Sequence, residues 1–429
     1  MKVIYNPQPD TWKALCARPQ IDQEVLDPAI RRILSDVRSK GDQALKDLTL
    51  EFDGVRLPSL AVTDAEMVSA IMTLDDNLKV AMQTAAKNIE TFHASQHQES
   101  KVIETMRGVR CWRKAVPIDR VGIYIPGGSA PLFSTVLMLG IPARLAGCGD
   151  VILCTPPDKQ GNVNPAILYA ASLASISKVF KVGGAQAIAA MAYGTESIPQ
   201  VYKIFGPGNQ FVTRAKQLVS EEGIAIDMPA GPSEVLVIAD AAANTAFVAA
   251  DLLSQAEHGA DSQVMLVALS NVNIEAIQAE VNRQLQDLPR RDIAAKALEN
   301  SRIVVFDSLD AAIQFSNAYA PEHLIINTVE ASAIAERVIN AGSVFLGAWT
   351  PESAGDYASG TNHTLPTNGY ARAFAGVSFD SFVKYITFQE ISEEGIRAIG
   401  PVVETMADAE SLQAHKAAVT KRLEYLNSN

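Results

Sequence analysis

The sequence predicts an α/β protein in which two doubly wound parallel-sheet units follow a helical amino-terminal region and precede a helical carboxyl-terminal tail. Short β-rich runs alternate with Ala- and Leu-rich helical stretches from about Val116, and the alternation begins again near Glu234. Strands that alternate with helices are typical of a parallel sheet covered on both faces. Residues before about 110 carry apolar positions at helical spacing instead.

The amino-terminal helices are predicted over Ala29 to Leu50 and Asp64 to His93. Apolar residues recur there every three or four positions. Asp64 stands two residues before Glu66, so we expect Asp64 to cap the second helix.

Both α/β units are predicted from β-rich runs. Helical stretches such as Leu132–Leu145 and Pro165–Ser175 separate the runs of the first unit. Glycine-rich loops follow several runs, and ligands bind at the carboxyl ends of the strands in open α/β sheets. The first unit contains Val121-Gly-Ile-Tyr-Ile-Pro, Val151-Ile-Leu-Cys, Val179-Phe-Lys-Val-Gly and Val201-Tyr-Lys-Ile-Phe-Gly; the second contains Glu234-Val-Leu-Val-Ile-Ala, Gln263-Val-Met-Leu-Val, Arg302-Ile-Val-Val-Phe, Leu324-Ile-Ile and Ser343-Val-Phe-Leu-Gly.

A polar segment and a charged helix end the chain. The segment from Trp349 to Gly369 is rich in small and polar residues, and Ala409 to Leu426 forms an amphipathic helix. Because this helix has no clear partner in its own neighbourhood, we expect it to dock on another subunit.

Composition excludes several classes of protein. Hydrophobic residues make up 48% and charged residues 20% of the 429 residues, which suits a globular protein of two or three domains. The net charge of −12 opposes binding to phosphate backbones or anionic membranes. We therefore predict no nucleic-acid partner and no membrane association.

Neither a membrane span nor a secretion signal is predicted. The longest apolar candidate, Phe133 to Gly147, contains Pro142 and Arg144, and the start of the chain lacks the apolar core of a signal peptide. The cysteines form no CxxC pair and are too few for a disulfide scaffold, so we expect free thiols and a cytoplasmic location. They are Cys16, Cys111, Cys148 and Cys154.

The usual dinucleotide-binding fingerprint is absent. The segment Gly206-Pro-Gly-Asn-Gln-Phe begins like GxGxxG, but Phe211 stands at the third glycine position. Glycine loops still offer backbone N–H groups near helix starts, where anions bind. Each loop alone is also consistent with a tight turn, whereas several at one sheet edge predict a binding cleft. The loops are Pro126-Gly-Gly128, Gly183-Gly184, Gly206-Pro-Gly-Asn209 and Ala230-Gly-Pro-Ser233.

Histidines near two helix ends are candidate metal ligands. His93 and His97 are four residues apart, but their polar neighbours predict a solvated face, so we interpret both as surface residues. Gln255 and His258 lie three apart on one helical face just before Gly259. That second pair is consistent with metal ligands or with a polar helix end beside the negative pole of the helix dipole.

Acidic residues and histidines also cluster in the second unit. Glu322 and His323 precede an apolar run, and this pair could perform acid–base chemistry or be a solvated strand entry. The segment Pro351 to His363 is a long polar loop, and such loops are often functional. Asp356 and His363 within it could bind a metal.

Residues from separate elements could together enclose one divalent ion. Glu410 and His415 on the last helix would, taken alone, pass as exposed residues. A set made of Gln, His, Asp and His favours zinc, with manganese or cobalt as open alternatives.

Several blocks, in order over nearly the whole chain, closely resemble the histidinol dehydrogenase family. No single block is specific, but the set is highly specific. The blocks are Val121-Gly-Ile-Tyr-Ile-Pro-Gly-Gly-Ser-Ala-Pro-Leu-Phe, Val182-Gly-Gly-Ala-Gln-Ala, Phe205-Gly-Pro-Gly-Asn, Ile226-Asp-Met-Pro-Ala-Gly-Pro-Ser-Glu, Asp251-Leu-Leu-Ser-Gln-Ala-Glu-His-Gly, Pro321-Glu-His-Leu and Ser353-Ala-Gly-Asp-Tyr-Ala-Ser-Gly-Thr-Asn-His.

The resemblance implies a zinc-dependent homodimer, with one zinc per subunit, that oxidises L-histidinol to L-histidine through an aldehyde and reduces two NAD. It also implies two Rossmann-like units that lack the usual glycine fingerprint, and it assigns roles to residues. The implied roles are an acid–base pair at Glu322 and His323; zinc ligands at Gln255, His258 and Asp356, with His415 from the other subunit; NAD contacts at Tyr124, Gln186 and Asn209; and substrate contacts at Ser233, Gln255, His258, His323, Asp356, Glu410 and His415.

The resemblance, together with the patterns above, also sets the expected domain boundaries. We expect an amino-terminal segment over 1–20, and a first α/β unit made of 21–120 and 234–376. A second unit is expected over 121–233, with a tail over 377–429 that is exchanged in the dimer.

Other functions remain open. Cys148 or Cys154 could form a thiohemiacetal with the aldehyde, although both are also consistent with buried packing. A zinc hydrolase, a noncatalytic NAD- or metal-binding protein and a related zinc- and NAD-dependent dehydrogenase of another small polyol are the further alternatives.

Overall fold

The structure of the protein, a computed structural model, describes residues 1–19, 23–127, 131–229 and 231–428. Gly128 and Ala230 of the predicted glycine loops lie outside the described residues. Strands β1 to β14 are Lys2–Tyr5, Ile103–Met106, Val109–Pro117, Arg120–Tyr124, Asp150–Thr155, Lys178–Lys181, Lys203–Phe205, Ala225–Ile226, Glu234–Ala239, Gln263–Leu269, Arg302–Phe306, His323–Asn327, Ser343–Leu346 and Val383–Ile391.

The helices are numbered in the same way, and three short 3-10 turns accompany them in the described residues. Helices α1 to α17 are Trp12–Leu15, Gln23–Lys40, Asp42–Asp53, Asp64–Thr73, Asp76–Ala94, Phe133–Ala146, Pro165–Leu173, Gly184–Tyr193, Gln210–Glu221, Thr245–Ala256, Ile274–Asp287, Arg291–Glu299, Leu309–Tyr319, Ala331–Ala335, Glu352–Tyr357, Glu393–Ala409 and Gln413–Ser428. The 3-10 turns are Pro9–Thr11, Tyr370–Arg372 and Phe379–Phe382.

The chain divides into two compact units. The first comprises Met1–Ser95 and Ile118–Ser381 and contains two parallel sheets. The second comprises Gln96–Pro117 and Phe382–Asn429 and contains an antiparallel sheet with the last two helices.

Both parallel sheets of the first unit are wound in the same order. One runs β6-β5-β4-β7-β8, and the other runs β11-β10-β9-β12-β13 with β1 added beside β11. In each, the chain starts at a central strand, moves outward to one edge, and then crosses to the other side. This is the doubly wound order, and the switch points lie between β4 and β7 and between β9 and β12. The predicted fold class is confirmed.

The interior of these sheets explains the apolar runs in the sequence. Every residue of β9 is buried, as expected for a strand covered by helices on both faces. The apolar run that begins at Phe133 is α6, and its residues from Ser134 to Ala143 are buried. No helix in the described part of the chain is long and apolar enough to cross a membrane.

The amino-terminal region differs from the prediction in its helix boundaries. The first predicted helix is divided at Gly41, whose positive φ of 54° ends α2. The second is divided before α5, where the Asp75 side chain accepts a hydrogen bond from the Leu78 N–H at 3.1 Å. Thr63, rather than Asp64, caps α4, because Thr63 and Glu66 form a reciprocal capping box.

The sheet of the second unit is not predicted by the sequence patterns. Strand β3 pairs antiparallel with β2 and with β14, and Trp112 stacks on Phe388 with ring centroids 5.5 Å apart. Most side chains of β14 are exposed, so no buried face imposes a two-residue alternation. Helices α16 and α17 pack closely at Gly400, where an added Cβ would lie 2.9 Å from Leu423 Cδ1.

The loop after β7 is held by a buried ion pair. Lys216 pairs with Asp227, and its Nζ donates to the Gly206 carbonyl oxygen at 2.9 Å, while Asp227 accepts from the Gly206 N–H at 2.8 Å. Gly206 itself has a φ of 126°, and a Cβ there would collide with the Tyr124 carbonyl oxygen. A glycine is therefore required at this position.

Replacing Gly206 with alanine should destabilise the protein more than replacing Gly223. Both glycines have positive φ, but a Cβ at Gly223 meets no atom within 4 Å. Backbone strain alone costs about 1–3 kcal/mol, and only Gly206→Ala adds the collision. Denaturant unfolding of both variants checks this; equal losses of stability would contradict it.

Candidate active site

A buried acid–base pair lies at the amino ends of two adjacent strands. His323 begins β12, Glu322 immediately precedes it, and β12 pairs with β9 in the register His323 to Val235. The pair therefore lies at the amino edge of the second sheet, beside its switch point. His323 is 2% exposed and Glu322 6%, so this is not a solvated strand entry.

Glu234, the first residue of β9, holds both members of the pair through its backbone. Its N–H donates to Glu322 Oε2 at 2.8 Å, and its carbonyl oxygen lies 3.2 Å from His323 Nδ1. When Nδ1 donates to this carbonyl, Nε2 becomes the nitrogen that can accept a proton. Nε2 lies 3.4 Å from Asp356 Oδ1.

The side chain of Glu234 is itself anchored. Arg18 donates to both of its carboxylate oxygens, at 3.0 and 2.8 Å, and its guanidinium lies 3.7 Å from the centre of the Tyr319 ring. The Asn368 N–H also donates to Glu234 Oε1 at 2.6 Å. The sequence patterns give no sign of this network, because its members are far apart in the chain.

The environment shifts the pKa values of the pair. Burial raises the pKa of Glu322 to about 8. Burial lowers the pKa of His323, but the neighbouring carboxylates of Glu322, Asp356 and Glu352 outweigh it and raise the pKa to about 10. Strongly shifted groups of this kind are common at catalytic sites.

Two helices bring candidate metal-binding side chains next to His323. Gln255 lies in the last turn of α10 and His258 just beyond it, while Glu352 and Asp356 lie four residues apart on α15. Candidate ligand atoms of His258, Glu352 and Asp356 all lie within 4.8 Å of one another. Gln255 Nε2 lies 3.0 Å from His323 Nδ1, which joins this group to the acid–base pair.

Several buried atoms of the group have no hydrogen-bond partner among the described residues. Those on Gln255, Glu352 and Asp356 lie on the two helices, so one cation between these helices would satisfy all three. A set of amide, imidazole and carboxylate donors suits zinc or a similar divalent metal. The atoms are Gln255 Oε1, His323 Nε2, Glu352 Oε1 and Asp356 Oδ1.

Of the sequence-predicted ligands, His258 and Asp356 come together with Gln255 beside them, whereas His363 is engaged elsewhere. Its Nδ1 lies 2.9 Å from the Asp356 carbonyl oxygen and its Nε2 lies 3.0 Å from Thr135 Oγ1. His363 thus ties the polar segment to α6. The predicted set did not include Glu352. Its four-residue spacing from Asp356 would have placed both carboxylates on one helical face.

A second feature is a cavity of about 1070 Å³ in the first unit. Tyr124, at the end of β4, and Gln186, in the first turn of α8, line it together with Asn209. The Tyr124 hydroxyl accepts from the Gly184 N–H at 3.1 Å, and the Asn209 side chain caps α9. The cavity therefore lies at the carboxyl edge of the first sheet, where the glycine loops were expected to form a cleft.

The remaining predicted residues are found in separate places. Ser233 lies just before β9, where its carbonyl oxygen accepts from the Gln263 N–H at 3.1 Å. Glu410 caps the end of α16, and His415 lies in α17; both belong to the second unit and are exposed.

The interpretation of His93 as a surface residue is wrong. His93 is fully buried in α5, on the face that packs into the protein, whereas His97 is exposed as expected. The polar neighbours of His93 occupy the other faces of the helix, which sequence proximity does not distinguish.

The cysteine alternative is not supported. All four cysteines are free, but burial raises the pKa of Cys148 to about 11 and that of Cys154 further. Both are thus thiols at neutral pH, and the thiolate is the reactive form.

Comparison with known proteins identifies the family. A family model described as histidinol dehydrogenase matches residues 16–423. A Bacteroides thetaiotaomicron protein named histidinol dehydrogenase is 61% identical over 426 residues, which cover 99% of this chain and 100% of the relative. A Yersinia pestis protein of the same name is 52% identical over 419 residues, which cover 97% of this chain and 94% of the relative.

A solved structure agrees with these matches. The crystal structure of histidinol dehydrogenase from Elizabethkingia anophelis is 56% identical and superposes with a TM-score of 0.97, over 100% of this chain and 99% of that chain. The resemblance found in the sequence blocks is confirmed. The chain therefore belongs to the histidinol dehydrogenase family of oxidoreductases.

Proposed function

We propose that the protein oxidises L-histidinol to L-histidine through histidinaldehyde, with zinc bound and two NAD reduced, as the last step of histidine biosynthesis. The observation that carries this proposal is the buried Glu322–His323 pair, which lies beside His258, Asp356 and Gln255. The support from the family is a relative named histidinol dehydrogenase with 61% identity.

The metal would be held by Gln255, His258 and Asp356, with His415 of the partner subunit as a further ligand. Bound zinc would accept the imidazole and amine nitrogens of histidinol and so fix the carbinol carbon in place. Orientation of this kind removes roughly 7–11 kcal/mol from a barrier.

In this mechanism His323 and Glu322 move the protons. The positive charge of the bound metal would lower the pKa values of both groups, which without metal are about 10 and about 8, so that both can act as bases. His323 accepts the alcohol proton while hydride leaves for the first NAD, which yields the aldehyde. Glu322 then takes a proton from a water that adds to the aldehyde carbon, while His323 returns its proton to the aldehyde oxygen and is free again as a base. His323 accepts the next proton as the hydrated aldehyde gives its hydride to the second NAD, so the overall reaction consumes one water and forms two NADH.

NAD would occupy the cavity lined by Tyr124, Gln186 and Asn209. The cavity of about 1070 Å³ is at the upper end of ligand pockets, which run to roughly 1,000 Å³, and so suits a ligand larger than a single nucleotide. Helices α8 and α9 begin at the carboxyl edge of the first sheet. The amino ends of helices bind anions, so these two would favour the negative charge of the NAD pyrophosphate.

We further infer a cytoplasmic homodimer in which the tail over 377–429 is exchanged. Glu410 and His415 are exposed on the second unit, so both side chains are open to contact with another subunit. Ser233 and Glu410 would contact the substrate, and the negative charge of Glu410 suits an amino alcohol. The second candidate function is a related zinc- and NAD-dependent oxidation of another small polyol.

The first test is the yield of NADH from limiting histidinol with zinc-loaded protein. We expect two NADH per histidinol, and loss of the reaction in a strong chelator. One NADH would mean that the reaction stops at the aldehyde. No NADH would favour another polyol as substrate, or the zinc hydrolase.

Replacing His323 with asparagine should lower turnover by about 10²–10⁴-fold while zinc content is retained, because His323 is assigned to proton transfer and not to the metal. Metal analysis and steady-state kinetics measure the two quantities. His97→Asn, at an exposed site, is the control. Equal loss of zinc and turnover would overturn the role given to His323.

Replacing Glu322 with glutamine should slow the second oxidation more than the first. The amide oxygen of glutamine can still accept from the Glu234 N–H, but it cannot take a proton from water. Rates measured separately with histidinol and with histidinaldehyde test this expectation. If both steps slowed to the same extent, Glu322 would not be the base that activates water.

A further inference from the structure

One acidic side chain in the cavity of the first unit has no role in the mechanism above. Asp53 is the last residue of α3 and lines the cavity together with Tyr124 and Gln186. Burial raises the pKa of Tyr124 to about 12, and the negative charge of Asp53 adds to that shift. The amino-terminal helices therefore place a carboxylate inside the proposed NAD cavity, near the Tyr124 hydroxyl.

The carboxylate of Asp53 lies in an unfavourable environment. Its Oδ2 is buried and has no hydrogen-bond partner among the described residues. Burial raises the pKa of Asp53, and the charge of Lys159 only opposes that shift, because Lys159 Nζ donates its hydrogen bond to the Asp53 carbonyl oxygen at 2.7 Å. The helix dipole also disfavours an acid at the carboxyl end of a helix. A ligand that donates hydrogen bonds would relieve this environment.

The usual source of such an acid in a dinucleotide-binding unit is occupied in this chain. There, an acidic residue beyond the first strand and helix binds the hydroxyls of the adenosine ribose. The corresponding strand is β5, which pairs with β4 and is followed by Asp158. Asp158 Oδ1 accepts from the N–H groups of Gln160 and Asn162, at 2.9 and 2.8 Å, so this oxygen closes a turn of its own loop.

Asp53 reaches the same side of the cavity from outside the sheet. Lys159 also follows β5, and its hydrogen bond to the Asp53 carbonyl oxygen holds the end of α3 against this loop. Both residues line the cavity. A carboxylate there would accept strong, charge-assisted hydrogen bonds from ribose hydroxyls, whereas it would repel a phosphate group on the 2′ oxygen.

We infer that Asp53 binds the adenosine ribose hydroxyls of NAD and makes the protein prefer NAD to NADP. This inference rests on the proposed NAD-dependent function, and it names the residue that discriminates between the two cofactors. The competing interpretation is that Arg32 and Lys159, two cations that line the cavity, bind a 2′-phosphate. Against it, Arg32 is exposed and pairs with Glu51 at 3.4 Å, and Lys159 is held by the Asp53 carbonyl oxygen.

Direct binding of the two cofactors tests the inference without any measurement of activity. NAD and NADP are each titrated into the protein in a calorimeter, in the absence of histidinol. For the parent we expect NAD to bind at least about tenfold more tightly than NADP, since one hydrogen bond to a charged group is worth roughly that factor or more. Equal or tighter binding of NADP would overturn the inference.

Replacing Asp53 with asparagine should remove most of this preference. The amide oxygen can still accept from one ribose hydroxyl, but no negative charge remains to repel the 2′-phosphate. We expect the ratio of the dissociation constants for NADP and NAD to fall at least about tenfold. An unchanged ratio in this variant would overturn the inference.

The matched control is Asp158→Asn. Asp158 is a second acid that lines the cavity, and an asparagine side chain can still accept from the N–H groups of Gln160 and Asn162. We expect this variant to keep the parental ratio of the two dissociation constants. An equal fall in both variants would mean that the preference follows the general negative charge of the cavity, and would also overturn the role of Asp53.

Thermal unfolding shows whether the Asp53 variant remains folded. Asp53→Asn removes a negative charge from the carboxyl end of α3, so the variant without cofactor should melt no lower than the parent. NAD should raise the melting midpoint of the parent more than that of the variant. A lower midpoint without cofactor would show that Asp53 stabilises the fold itself, which would contradict the inference.

Failure of the proposed function would look different. If the unmodified protein binds neither NAD nor NADP, the NAD-dependent function and the role of Asp53 fall together. If it binds NAD and forms NADH from histidinol, but Asp53→Asn keeps the parental ratio, only the role of Asp53 is excluded.

Discussion

Glu234 is the residue on which the geometry of the candidate site depends. Its carboxylate is held by Arg18, and its backbone N–H and carbonyl oxygen contact Glu322 and His323. Glu234 is fully buried, and its charge is tolerated because Arg18 pairs with it and the Asn368 N–H also donates to it. Breaking such a pair typically costs about 3–5 kcal/mol. The position of the acid–base pair is therefore set by an ion pair that takes no part in the chemistry.

The two sheets share a winding order, but their candidate sites lie at opposite edges. The cavity opens at the carboxyl edge of the first sheet, where the amino ends of α8 and α9 carry partial positive charge. The metal-binding side chains lie at the amino edge of the second sheet, beside the carboxyl end of α10, which is its negative end. One edge thus favours anions such as phosphates, and the other favours cations.

Local patterns in the sequence were sufficient for most strands of the two parallel sheets, but not for the antiparallel sheet or for every helix boundary. A run such as β9 is apolar throughout because both of its faces are covered, so composition alone identifies it. The division of the early helices depends on Gly41 and Asp75, single residues whose conformations periodicity does not report. The exposed strand β14 gives no signal because it has no buried face.

Residue types and their spacing in the sequence indicated the candidate site, through Gln255 with His258 and Glu322 with His323, and the order of the blocks indicated the family. Composition also predicted a globular, acidic chain, because the hydrophobic fraction and the net charge depend only on how many residues of each type are present. The convergence of α10, α15 and β12 on one buried group belongs to tertiary structure alone. So do the burial of His93 and the pairing of Arg18 with Glu234. Contacts between residues tens to hundreds of positions apart depend on how the layers pack, and no local pattern records that packing.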